Sequence, residues 1–102
     1  MPTANGSFQW VAPNQINARF EVDGSDYNSA LTVHAPLPNF GYANATLDYE
    51  TTDLLAGSRS FDGHVGNRDF SIDFDNGPTL KGNLDIDHSI GTSGRGIWTV
   101  SL

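Results

Sequence analysis

The stretch FDNGPTLKGNLDID, Phe74 to Asp87, carries the densest set of side chains able to do chemistry. Asp73, Asp75, Asp85 and Asp87 supply hard oxygen donors of the kind calcium prefers. Calcium takes about six oxygens converging on one point. Carboxylates at alternate strand positions instead form a strip along one face, with Asp69 joining it opposite Asp85. The spacing D-x-[DN]-x-[DN]-G-x5-E of a calcium loop is absent. The four aspartates are therefore candidates for weak cation binding only, and the strip reads as a solvated face that discourages sheet-to-sheet association. No cofactor is expected.

The same stretch reads well as a hairpin. A two-residue Asn76-Gly77 turn would set Phe74, Ile72 and Phe70 against polar partners, because a one-residue slip flips every side chain. A loop from Asp75 to Thr79 places Phe74 opposite Leu80, Ile72 opposite Gly82 and Phe70 opposite Leu84. Asp73 then meets Lys81, a favourable cross-strand pair, and Pro78 falls in the loop.

Other reactive types lack partners. His34, His64 and His88 fall on outward positions or in loops. Asp62 and His64 share a face, half of a metal site that needs three or four ligands. Asp87-His88-Ser89 has the residue types of a catalytic triad, but adjacent residues cannot point at one another as nucleophile, base and orienter. No pair of carboxylates facing across a cleft is implied, which disfavours glycoside hydrolysis. Gly91 to Gly96, GTSGRG, lacks the G-x4-G-K-[ST] phosphate loop and a following helix; it reads as a flexible turn.

The elements that must position these groups are short strands. Period-two alternation recurs between Gly, Pro, Asn and Asp, and no stretch sustains helical periodicity. Phe8 and Trp10 share a face, as do Ile16, Ala18, Phe20 and Val22. Leu31 and Val33 follow, then Ala43, Ala45, Leu47 and Tyr49. Phe61, Gly63 and Val65 form a weaker set; Phe70, Ile72 and Phe74 a strong one. Leu80, Leu84 and Ile86 come next, and Trp98, Val100 and Leu102 close the chain. VDGSDYN, APLPNFG, GNR and SIGTSGRG supply turns, and TTDLLAG a helical turn or bend. About eight strands at this spacing predict an all-β, meander-like antiparallel barrel, with a flattened barrel or sandwich as the alternative. Closure would remove exposed edges. The inward set is almost wholly apolar, so side chains are expected to fill the interior and leave no ligand cup.

The 102 residues allow one domain. Twelve acids against five Lys and Arg give a net charge of −7, without the basic footprint a nucleic-acid binder needs. There is no apolar run long enough to span a membrane. Met1 to Asn17 lacks the basic-then-apolar pattern of a signal peptide, yet the Asn-, Gly-, Ser- and Thr-rich, lysine-poor composition leans towards a mature exported protein. Cysteine is absent, so disulfides and thiolate metal sites are excluded. Two glycosylation-type triplets, Asn5-Gly6-Ser7 and Asn44-Ala45-Thr46, are short enough to arise by chance.

With the strands laid out, the C-terminal half resembles the virulence-associated protein (Vap) barrels of pathogenic actinomycetes. The likeness runs through Thr46-Leu47-Asp48-Tyr49, Ser60-Phe61, the Phe70-Ile72-Phe74 strand, Leu80-Lys81-Gly82 and the glycine-rich approach to Trp98, GTSGRGIW. It implies a compact eight-stranded antiparallel barrel with a filled interior and no catalytic residues. It also implies a secreted protein acting on host endosomal compartments.

The leading functional expectation is a non-enzymatic binding barrel that meets a macromolecular or glycan partner through its outer surface or loops. Tyr27, Phe40, Tyr42 and His64 are the surface candidates, with Phe61 a further exposed aromatic. A carbohydrate-binding module is the first alternative, marked by an exposed aromatic beside Asp or Asn. A cyclase- or isomerase-like barrel or a carrier of small apolar ligands is the second, and it needs an internal cavity. A monomer or a homodimer fits equally.

Overall fold

The computed structural model describes residues 2–66, 68–84 and 90–101. Among them run β1 (Thr3–Ala12), β2 (Gln15–Val22), β3 (Ser25–Val33) and β4 (Tyr42–Asp48), a 3-10 turn (Thr52–Leu54), then β5 (Gly57–Gly66), β6 (Asp69–Phe74), β7 (Thr79–Asn83) and β8 (Ile90–Ser101). All neighbours pair antiparallel and the sheet closes into one barrel in the order β1-β2-β3-β8-β5-β6-β7-β4. The all-β small barrel is thus the observed fold, and closure disposes of the open sandwich.

Two consecutive meanders, β1-β2-β3 and β5-β6-β7, make up most of the wall. In each half the fourth strand returns to lie beside the first: β4 beside β1, and β8 beside β5. Each half is a Greek key. The halves join where β3 meets β8 and where β7 meets β4. The chain shows no sequence repeat, yet its topology repeats.

Turn chemistry sets the hairpins. Val22 pairs with Ser25 across Asp23-Gly24, whose φ values of 53° and 80° mark a two-residue turn matched to strand twist. VDGSDYN is consequently mostly strand. The β6–β7 turn is tighter than expected: Asp73 faces Thr79, Ile72 faces Leu80 and Phe70 faces Gly82. The Phe74 carbonyl accepts from Gly77 N–H, and Phe74 N–H donates to the Pro78 carbonyl. Gly77 has φ 119°, the signature of a three-residue loop ending in a bulge. The shift from the expected register is two residues, so every side chain keeps its face. Lys81 lies opposite Ser71, and its ammonium pairs with Asp48 of β4 at 2.9 Å, leaving Asp73 to accept from the Thr79 hydroxyl at 3.2 Å.

Burial follows parity. Phe8, Ile16, Ala18, Phe20, Leu31, Leu47, Phe70, Ile72 and Leu80 are all but fully buried. Phenylalanine and glycine face one another across strands at three places: Phe20 and Gly6, Phe70 and Gly82, Phe61 and Gly94. A Cβ on Gly6 or Gly82 would lie 2.6 or 2.7 Å from the facing ring, and one on Gly94 would be 3.1 Å from Phe61 Cζ and pressed into the Thr32 carbonyl. Each ring lies against its glycine, in space a side chain would otherwise take, which is why bulky residues fit in so narrow a barrel. GTSGRG is therefore not a flexible turn. It is the first part of β8, with Thr92, Gly94 and Gly96 turned inward.

Both barrel mouths are covered. The β3–β4 connection lays Leu37 and Phe40 over one, where Trp10 Nε1 donates to the Leu37 carbonyl at 3.1 Å. The β4–β5 connection brings buried Tyr49 and Leu55 and the 3-10 turn to the other, tied to the β6–β7 hairpin by Asn76 Nδ2 donating to the Leu54 carbonyl at 2.9 Å.

Candidate functional site

The acidic strip does not converge. Asp73 is exposed on β6, directly across from Asp62 on β5, and Asp75 sits in the turn beyond them. Like charges face one another here, and among the described residues neither carboxylate forms an ion pair. Among the described residues no group of three or more Asp, Glu, His or Cys could hold a metal ion. Asp85, Asp87 and His88, with the Asp87-His88-Ser89 sequence, lie outside the described residues.

His64 reaches Asp69 of the neighbouring strand, Nε2 to Oδ1 2.6 Å, on the outer wall. His34 stands at the mouth by Ser93, 3.4 Å from its hydroxyl. Neither histidine faces the interior.

Among the aromatics singled out as surface candidates, burial separates roles. Phe40 is half-buried and stacks on Phe8 with centroids 5.4 Å apart. Tyr27 pairs with Phe20 and Val100 at the opposite rim and packs on the core. Phe61 is buried. These three are parts of the core and its lids. Tyr42 is 64% exposed and stands out from the wall on β4.

Tyr42 borders a pair of adjoining outer grooves of about 480 and 420 Å³ that share Asn5 and Gly6. The first runs over β1, β4 and β7, between Asn5, Asn44, Thr46 and Asn83. The second continues over β1 and β2 between Ser7, Arg19, Glu21, Asp26 and Tyr42. Strand pairing sets these side chains in rows: Thr46 lies beside Asn5, Asn44 beside Ser7, and Tyr42 beside Gln9. Adjacent strands lie about 4.8 Å apart, so neighbouring amides and hydroxyls can address one ligand together. In the second groove Arg19 Nη2 pairs with Asp26 Oδ2 at 2.6 Å, which leaves Glu21 as its uncompensated charge.

Sequence reasoning singled out Tyr42 but none of Asn5, Ser7, Asn44 and Asn83 as a site. Outward polar residues look alike until the fold assembles three strands into one face. It also missed Ser29 and Thr92, the polar residues buried inside. Here a signal was present: Ser29 has the parity of Leu31 and Val33, and Thr92 that of Trp98. The hydroxyls of both, and the Trp98 indole N–H directly across from Ser29, have no hydrogen-bond partner among the described residues.

No family model matches the sequence, and neither a curated protein nor a solved structure is significantly similar to it.

Proposed function

We propose that this chain is a non-enzymatic binding barrel that engages its partner through the outer wall. One observation carries the reading: among the described residues no Asp, Glu, His, Lys or Arg is buried, and the inward polar groups of the wall are the Ser29 and Thr92 hydroxyls and the Trp98 indole N–H. Chemistry on a substrate inside a barrel needs a titratable or charged group aimed at it. A carrier needs space, but here Phe8, Phe70, Phe20 and Leu31 occupy the axis and the connections cover both mouths. The concave surface lies outside, where the grooves run. Likeness of the C-terminal half to the Vap barrels adds a host-cell setting to the proposal, which rests on that likeness alone, and joins the composition in favouring export.

The test is a thermal melt with oleate and retinol, two apolar ligands sized for barrel interiors. The surface reading expects no change in melting temperature. A rise that persists in Tyr42→Ala would place a ligand inside and overturn it. A ligand binding only the folded state at about 100 times its Kd stabilises by about 2.7 kcal/mol, well above detection.

A further inference from the structure

We propose that the groove bounded by Tyr42, Asn44, Thr46, Asn83, Asn5 and Ser7 is a binding site for a neutral glycan. The inference rests on the surface-binding reading and names the ligand class that the surface fits.

Sugars present hydroxyls that need matched donors and acceptors, and faces of C–H groups that stack on aromatic rings. An asparagine amide offers two donors and an acceptor, and a serine or threonine hydroxyl offers both roles. The groove supplies three asparagines and two hydroxyls on three adjacent strands. None of these side chains hydrogen-bonds to another described residue. Asparagines at loops behave differently: Asn14, Asn39 and Asn76 are engaged by the backbone. On the wall the amides are carried by strands and make no side-chain bond to another described residue. Tyr42, at the groove's edge, supplies a ring that is 64% exposed. Tyrosine is a side chain favoured at recognition surfaces because it offers contact area at small entropic cost.

Charge narrows the class. Arg19 is held by Asp26 and Lys81 by Asp48, so the basic groups beside the groove are already neutralised. Glu21 and a net charge of −7 oppose an anionic ligand such as nucleic acid, a sulfated glycan or a sialylated one. Cations would find no converging carboxylates here. A neutral, hydroxyl-rich chain meets no penalty from either sign.

The protein should be biotinylated and applied to an array of neutral and sialylated oligosaccharides, and the best neutral binder then titrated in ¹⁵N–¹H correlation spectra. The expected result is binding to a neutral glycan, with shifts centred on Asn5, Tyr42, Asn44 and Asn83. Tyr42→Ala and Asn44→Ala should each weaken Kd tenfold or more with the melting temperature unchanged, while Thr99→Ala on β8, another part of the wall, leaves Kd as it was. Binding to sialylated glycans alone, to no glycan on the array, or with shifts away from the groove would overturn the assignment. Such a failure leaves the surface reading standing, since only an interior ligand removes that.

Discussion

The rings of Phe8 and Phe70 meet across the barrel axis with centroids 4.0 Å apart and only 11° between their planes. They come from β1 and β6, on different Greek-key halves, and Phe40 extends the stack from the mouth, its centroid 5.4 Å from that of Phe8. One column of three rings thus couples both halves of the wall to the β3–β4 lid.

Removing the inner end of that column should be severe. Phe70→Ala deletes a ring that is 1% exposed and bares Gly82 beneath it, so little can collapse into the gap. A loss of about 3–5 kcal/mol is expected. That is a large part of the total stability of a domain this small, about 5–15 kcal/mol. Urea denaturation should show a lower midpoint with an unchanged slope; a loss under about 1 kcal/mol would mean that the column is not the core's organising contact.

Glycine substitutions along β8 should divide sharply. Gly94→Ala drives a Cβ against the Thr32 backbone and the Phe61 ring, where neither strand can yield without breaking pairing. The cost is expected at about 1–3 kcal/mol from overpacking, and more if the strand shifts. Gly91→Ala meets nothing within 4 Å and should stay within about 0.5 kcal/mol of the parent. Equal effects in thermal melts would contradict the ring-over-glycine account.

These glycines also show how far the sequence could be read. Alternation at Ile16 to Val22 and at Phe70 to Phe74 gave strands and faces directly, because a half-buried strand writes its period in side-chain polarity. β8 escaped in its first part: an inward glycine carries no hydrophobic mark, and GTSGRG has the composition of a turn. The β6–β7 register was displaced by two residues because a period of two fixes the face and leaves the offset open. Strand order was beyond reach, since nothing in β8 itself says that it lies between β3 and β5. The groove was illegible for the same reason. Asn5, Asn44 and Asn83 are distant in sequence and become neighbours only when β1, β4 and β7 align.

The Asp23-Gly24 turn sets the β2–β3 register, and both residues have positive φ. Gly24→Ala places a Cβ in open space, so its cost is purely conformational, about 1–2 kcal/mol. Asp23→Asn should be neutral or slightly stabilising, since Asn-Gly is the preferred pair for such turns. Chemical denaturation of both variants checks the pair. A Gly24→Ala loss below about 0.5 kcal/mol would show that the turn can change type without moving the strands.

The inward hydroxyls give the sharpest separation between a filled core and a hidden binding site. Ser29 is 1% exposed and Thr92 is 7% exposed, and neither hydroxyl has a partner among the described residues. A buried polar group without a hydrogen bond costs about 1–3 kcal/mol of desolvation. Ser29→Ala and Thr92→Val keep the shape while removing the polar atom, so each should raise stability, by up to about 1 kcal/mol once packing losses are subtracted. The double variant should be close to additive, because the two residues lie at different heights on different strands. Destabilisation by both changes would mean that the hydroxyls are satisfied by something held within the barrel. With the Trp98 indole N–H across from Ser29, such a guest would have a ready polar anchor. Thermal melts of the two single variants therefore decide more than stability. Higher melting temperatures keep function on the outer wall, whereas lower ones would move it to the interior.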